Sequence, residues 1–355
     1  MKKIKKVSVV HPYLEERLKD IAVGDYPKHH LWGLDALRKQ EEWETNLIDT
    51  QKLFLPSLLE KVLNRYFFKQ SPGVKTEIAC WQASKSSSLI YSVCGPLSLA
   101  RFYKKTKLIS WVFRKPINPN NHFLAPYSAK NLAAHSAFFC LTPIAEKWFS
   151  KYSFSKFIPW SVDLDMFDGK PPIKESKSQF FLATGKTGRD FQTLIEGAKN
   201  ISVEIRIIGP KHQRPPHLPE NVKWLDSSSD PPDQAINYHT LREWYAQSVG
   251  VCIPLSGDAE DTCGYTNMLE AMAMGKPVIM TSTGCLHINP KDHKFGISVE
   301  KGNSSAWTNA MYQIANNNEL SRTFGNNGRK IVMNELSPSK FNQNIVSTIK
   351  DIFNG

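Results

Sequence analysis

The segment Glu260-Asp-Thr-Cys-Gly-Tyr-Thr-Asn-Met-Leu-Glu-Ala-Met-Ala-Met-Gly-Lys-Pro-Val-Ile-Met280 restricts the fold more than any other part of the chain. Gly264 permits a backbone turn that other residues resist and leaves room for a ligand to approach. From Thr266 onward, Met268, Leu269, Met272 and Ala273 recur at helical spacing, which predicts a helix with one face on the core. Gly275 ends that helix, Pro277 follows, and Val278-Ile279-Met280 reads as an interior strand. A loop, a short helix, a tight turn and a buried strand in succession belong to an α/β sheet. The helix starts at the loop, so its free N–H groups and positive dipole end point out of it and favour an anion. Glu270 follows one turn later, where a carboxylate accepts hydrogen bonds from a pair of sugar or ribose hydroxyls.

The rest of the chain alternates strand and helix twice over. Strands are expected at Lys6–Val10, Asn46–Asp49, Leu89–Val93, Leu108–Phe113 and Ser136–Thr142. A loop through Gly24-Asp-Tyr-Pro27 is expected after the first strand, then a helix near Lys28 to Lys39, and a further helix from about Pro143. The polar stretch from Gly169 to Ser178 marks a boundary. A second set of strands begins at Phe180–Ala183 and continues at Ile205–Ile208, Val222–Trp224 and Gly250–Pro254. This is the βαβ alternation of doubly wound sheets, and the length of 355 residues suits two domains.

The segment around Glu270 resembles the donor-binding signature of the retaining GT-B glycosyltransferases, specifically glycosyltransferase family 4. The family pattern is Glu, seven residues, Glu, then Ala-Met-Ala-x-Gly-x-Pro-Val-Ile. The second Glu matches Glu270 and the residues after it match closely, but Thr262 stands where the first Glu belongs. That first Glu holds donor-sugar hydroxyls in the family, so its replacement bears on the identity of the sugar. The resemblance implies a GT-B architecture: two Rossmann-like domains facing each other across a cleft. It places an acceptor domain at 1–160, a nucleotide-sugar domain at 161–337 and a helix at 338–355 that crosses back to the first domain. Ser161-Val-Asp163 takes the place of the family's Gly-Val-Asp connection. The donor contacts so implied are Gly24, Gly185, Thr262, Cys263, Gly264, Tyr265, Thr266 and Glu270.

A second constellation is Thr184-Gly-Lys-Thr-Gly-Arg-Asp-Phe-Gln-Thr-Leu-Ile195, a loop with two cations leading into an amphipathic helix. Lys186 and Arg189 suit a diphosphate, the guanidinium gripping two oxygens at once; a solvated basic loop is the plainer alternative. The Gly-Lys-Thr is not a P-loop, because the preceding glycine spacing is missing. In the family, Arg189 falls on a lysine, and Lys186 is the nearest match to an arginine. Transfer would then rest on Lys186, Arg189, Glu270 and the helix N-terminus, with no metal, no cofactor and no Asp-x-Asp motif in a metal-binding loop. Retaining GT-B enzymes are held to lack a nucleophilic carboxylate and to use the leaving phosphate to assist the acceptor. His29 and His30 are acceptor contacts or structural residues. Arg114, where the family often has a histidine, is a contact to phosphate or an acidic acceptor, or a surface charge. Trp81, Gln82 and Tyr91 are candidates for the acceptor face.

Charge divides the chain unevenly. Residues 1–160 carry 25 Lys+Arg against 12 Asp+Glu, and the remainder 20 against 21. Basic clusters fall at Lys2, Lys3, Lys5 and Lys6, at Arg101, Lys104, Lys105 and Lys107, and at Arg114 and Lys115. Leu99–Lys107 reads either as a basic amphipathic helix for an anionic membrane surface or as solubility charge that attracts an anionic donor. No nucleic-acid module accompanies the charge. No run approaches the roughly 18 apolar residues of a membrane span. The six cysteines show no metal or CxxC spacing, so reduced thiols in the cytoplasm are expected, with peripheral contact at the inner face of a membrane an open alternative. The expected activity is hexose transfer from a UDP- or GDP-linked donor to a hydroxyl acceptor, either a lipid, a glycan or a small molecule. The rivals are a silent nucleotide-sugar-binding relative, a GT-B epimerase and a phosphorylase.

Overall fold

Strands whose residues are buried on both faces, such as Val7, Val9 and Val10 or Phe180 to Ala183, require a layer of helices on each side of their sheet. The structure is a computed structural model that describes residues 4–11, 13–103, 105–119, 122–174, 178–227, 236–258, 260–282 and 285–354. The basic residues Lys2, Lys3 and Lys104 and most of the loop 226–233 lie outside the described residues. The chain divides into two compact units, one of Met1–Lys19, His29–Trp160 and Ser339–Gly355, the other of Asp20–Lys28 and Ser161–Pro338.

The first unit is built on β1 (Lys5–Val10), β2 (Trp43–Leu47), β3 (Leu89–Ser92), β4 (Lys107–Val112), β5 (Ala137–Cys140) and β6 (Ser155–Phe157). They form one parallel sheet in the order β2-β1-β3-β4-β5-β6, with Val9 opposite Leu47 on one side and Tyr91 on the other. The helices are α1 (Leu14–Val23), α2 (Leu34–Arg38), α3 (Ser57–Tyr66), α4 (Val74–Ser84), α5 (Ala129–Ala133) and α6 (Pro143–Phe149).

The second unit has β7 (Phe180–Thr184), β8 (Glu204–Pro210), β9 (Val222–Ser227), β10 (Gly250–Ile253), β11 (Val278–Thr281) and β12 (Gly296–Val299). Their order is β12-β11-β10-β7-β8-β9, again all parallel. Its helices are α7 (Phe191–Ala198), α8 (Tyr238–Gln247), α9 (Tyr265–Ala273), α10 (Ser304–Asn316) and α11 (Asn318–Asn334). Leu194 and Ile195 of α7 and Trp307, Met311 and Ile314 of α10 close one core over Phe181, Ile205, Ile207 and Cys252. The last helix, α12 (Pro338–Asn354), packs on the first unit. There Phe341 meets the Trp32 and Trp111 rings, Ile345 lies against Gly33, and Lys107 Nζ reaches the Ile352 carbonyl.

Several expectations are corrected. The chain leaving β1 forms α1, whose Leu14, Leu18 and Ile21 carry a helical spacing that the expected loop ignores. Gly24 (φ 87°) ends α1, with Gly24 N–H donating to the Ile21 carbonyl and Asp25 N–H to the Asp20 carbonyl, so it is a helix stop and not part of the loop after β1. The expected helix from Lys28 to Lys39 is a short 3₁₀ turn (Lys28–Leu31) and then α2, separated by Trp32 and Gly33 at positive φ. The Trp32 ring stacks at 4.2 Å on Trp160, and that packing holds a backbone conformation which bulky residues resist. Leu99–Lys107 is not an amphipathic helix: Ala100–Phe102 is a 3₁₀ turn and Lys107 opens β4. Tyr91 is fully buried in the sheet and faces no acceptor.

Truncating Ile345 to Ala removes a fully buried side chain from the α12 seam. The expected cost is about 2–5 kcal/mol, read from urea unfolding followed by tryptophan fluorescence.

Candidate active site

In the second sheet the chain builds β7, β8 and β9 in one direction, then returns past β7 to build β10, β11 and β12 in the other. The opening at the carboxyl ends of β7 and β10 is the switch point at which doubly wound sheets take ligands. Two loops meet there. Asp190 N–H donates to the Pro254 carbonyl at 3.0 Å, Ser256 N–H to the Gly188 carbonyl at 3.0 Å, and Arg189 pairs with Leu255 as an isolated bridge. The first loop carries Gly185, Lys186 and Arg189; the second leads through Thr262 and Cys263 to α9.

Gly264 (φ 83°) turns the chain into α9 without a side-chain cap, and a Cβ there would lie 2.6 Å from Ile253 Cγ2. A side chain is therefore excluded by both backbone and space. Tyr265 N–H reaches the Thr262 carbonyl at 3.3 Å, while the amides of Thr266 and Asn267 have no acceptor among the described residues. These amides and the dipole of α9 make an anion-seeking end.

Arg189 is held beside that end. Its Nε donates to the Thr184 carbonyl at 3.1 Å, Nη1 to the Thr187 carbonyl at 2.9 Å and Nη2 to Asn267 Oδ1 at 2.6 Å. The guanidinium crosses the face of Gly185, where a Cβ would stand 2.2 Å from Nε. Burial lowers the pKa of Arg189, and the nearby Cys263, Tyr245 and Asp261 oppose that shift. Lys186 is half-buried on the same turn.

Asn267 is the branch of the network. Its Nδ2 donates to Thr184 Oγ1 at 2.7 Å and lies 3.4 Å from the Tyr245 hydroxyl, which donates to Glu270 Oε2 at 2.8 Å. Glu270 is thus buried, with Tyr245 filling the hydrogen bond that a ligand hydroxyl would otherwise make. Burial pushes its pKa up to about 8, against the opposing hydrogen bonds from Tyr245 and Asn267, so near pH 7 the carboxyl is largely protonated.

The sequence candidates fall into separate places. Gly185, Lys186, Arg189, Thr262, Cys263, Gly264, Tyr265, Thr266 and Glu270 share the β7–β10 switch point. Gly24 instead lines a cavity of about 940 Å³ with Tyr26, Lys28, Asp163, Asp168 and Arg242. His29, His30 and Arg114 belong to the first unit. His29 is buried, with its ring 5.1 Å from Trp160, and His30 packs 4.5 Å from it. Burial, with the charges of His29 and His11, holds His30 well below its ordinary pKa. Arg114 is half-buried just past β4.

Residues 187–317 match the family described as Glycosyl transferases group 1. This region is thus similar to the group 1 glycosyltransferases. The match takes in Arg189, the second loop, α9 and Glu270, and begins just after Gly185 and Lys186. No curated protein matches the chain. The chain resembles solved structures along its whole length: sucrose-phosphate synthase from Thermosynechococcus elongatus (15% identity, TM-score 0.68, covering 98% of this chain and 99% of that one). A glycosyltransferase from Rickettsia africae gives 14% identity and a TM-score of 0.67, covering 98% of each chain. HepE from Anabaena in complex with UDP and glucose gives 14% identity and 0.61, covering 98% of this chain and 100% of that one. At these identities the likeness establishes the fold, which is GT-B.

Three residues were missed in the sequence. Asn267 precedes Glu270 by three positions on the same helix face, a spacing that could have flagged it. Tyr245 comes from a distant helix and leaves no local trace. His11, directly after β1, occupies the corresponding switch point of the first sheet; burial lowers its pKa to about 4.

Between about pH 4.5 and 8 the folded protein keeps a proton on Glu270 that the unfolded chain has released, so this group lowers stability as pH rises. Glu270→Gln has no such proton. Its melting temperature relative to wild type is expected to climb from pH 5 to pH 8; a constant difference would show the carboxyl ionised throughout.

Proposed function

We propose that the protein is a glycosyltransferase that moves a hexose from a UDP- or GDP-linked donor to a hydroxyl acceptor, with retention of configuration. The observation that carries this reading is the meeting of the fixed Arg189 guanidinium with the open amides of α9 at the β7–β10 switch point. Both act on charge that develops on a leaving diphosphate, and Arg189 is already oriented, so little reorganisation is needed at that moment. Lys186, on the same loop, adds a third positive group. The group 1 segment lends this reading its prior.

The transfer is proposed to run without a metal ion, with charge supplied by these cations and amides. Glu270 then acts from beneath the site, through Tyr245 and Asn267 on Arg189, or binds ribose hydroxyls after Tyr245 gives way. The acceptor is a lipid or glycan hydroxyl at the first unit, where His11 and Arg114 stand past the carboxyl ends of β1 and β4 and His30 lies on the 3₁₀ turn Lys28–Leu31. Thr262 and the occupied Glu270 also favour a second reading, a relative that binds nucleotide sugars without turning them over.

A thermal-shift panel of UDP, GDP, ADP and CMP with their sugar conjugates, with and without EDTA, separates these readings. Stabilisation by one diphosphate family, unchanged by EDTA, supports the donor site, and release of nucleoside diphosphate from the matching sugar distinguishes transferase from silent binder. No stabilisation by any of them overturns both. Arg189→Ala is expected to weaken binding of the effective nucleotide by roughly 10- to 100-fold in calorimetric titration, the scale of a lost charge-assisted contact.

A further inference from the structure

In α3 the usual arrangement of an amphipathic helix is inverted. Leu58, Leu59, Val62 and Tyr66 recur at helical spacing and define one apolar face that is exposed, Leu63 beside it is half-buried, and no residue of α3 is buried. Two polar residues, Glu60 and Asn64, face the protein instead. Asn64 Oδ1 accepts from Val74 N–H at 2.8 Å, and Glu60 pairs with Lys75 at 2.9 Å, so the helix is fastened to the start of α4 by its hydrophilic residues. The apolar side points outward: Leu58 is 74% exposed, Tyr66 64%, and Phe54 just before the helix 88%.

The charge around this face is one-sided. Residues 51–160 carry 16 Lys+Arg against 3 Asp+Glu, while residues 1–50 are balanced at 9 against 9. The excess on the first unit therefore arises in the stretch that contains α3. Of the three acids, Glu60 is paired with Lys75, Glu77 is buried, and Glu146 accepts from Phe157 N–H. Lys61 and Arg65 flank the apolar face on the helix itself, and Lys69 stands three residues past its end, while Lys52 before it pairs with Asp49. Just past the helix, Gln70 donates to the Asn118 carbonyl at 3.4 Å, which brings the exposed Ile117 to the same edge.

We propose that the outward face of α3 docks the protein on an anionic phospholipid surface. An apolar stripe bordered by cations matches the acyl–headgroup boundary, where Leu, Tyr and Phe enter and Lys and Arg meet phosphates. A nucleic acid would satisfy the cations but leave the apolar stripe in water. Among the described residues no helix is long and apolar enough to cross a membrane, so the contact is peripheral. The place of α3 gives the docking a use. It packs at the start of α4, on the edge of the sheet where β1 and β3 end, and that edge holds the switch point of the first unit. The inference does not rest on the transferase reading, because vesicle binding and nucleotide binding are measured separately.

The test is sedimentation of the full chain with vesicles of phosphatidylcholine alone or of phosphatidylcholine and phosphatidylglycerol at about 7:3, at low and high salt. The expected result is binding to the anionic vesicles that weakens with salt and is much weaker on the neutral ones. Leu58→Glu with Val62→Glu changes only exposed side chains; it is expected to weaken vesicle binding at least about 10-fold while circular dichroism and thermal stability stay as in wild type. Failure of the wild type to bind anionic vesicles at low salt, or equal binding by the double variant, would overturn the proposal. So would a concentration-dependent dimer in light scattering that the double variant dissolves, since a second copy would then cover the face.

Discussion

A half-buried guanidinium must be given acceptors on its inner side, and the β7 and β10 loops meet that demand for Arg189. Its three nitrogens take the Thr184 and Thr187 carbonyls and the Asn267 side chain. The first two acceptors fix the loop after β7, and the third fixes that loop to α9. Asn267 in turn orients the Thr184 and Tyr245 hydroxyls, and Tyr245 closes over Glu270. In a low-dielectric interior each of these bonds is costly to leave unmade, so the members support one another as a unit. The β7 and β10 loops consequently form a single rigid wall and not two independent turns.

The neutral state favoured for Glu270 follows from the same economy. A second full charge in this enclosed volume lacks a direct cationic partner, because the Arg189 guanidinium donates to two carbonyls and Asn267 and not to Glu270. Protonation is the cheaper solution. The site therefore presents a positive and not a compensated surface, which is the polarity that a phosphate needs.

Much of this was legible in the sequence, but unevenly. Apolar runs such as Phe180–Thr184 and Val278–Thr281 announce interior strands because parallel sheets bury both faces, and the turn at Gly275–Pro277 is local chemistry. The helix over Glu270 was legible for the same reason. What could not be read is non-local. Tyr245 reaches Glu270 from 25 positions away, and the split at Trp32–Gly33 depends on stacking against Trp160. Leu99–Lys107 had the composition of an amphipathic helix, yet strand pairing claimed Lys107, opposite Leu89. For α3 the periodicity is plain, but periodicity cannot say which face turns inward; only the bonds of Glu60 and Asn64 decide it.

Neither unit is a continuous stretch of chain. Asp20–Lys28 belongs to the second unit, where Tyr26 packs 4.9 Å from Tyr238 and Lys28 N–H donates to Asp163, while residues 339–355 complete the first. On the ribosome, a protein of this kind cannot finish one half and then begin the other. The amino-terminal sheet is made early but lacks the helix that packs on it until synthesis has passed residue 339, about 180 residues after its last strand. A cut at any single point of the chain therefore leaves at least one unit without part of its own sequence.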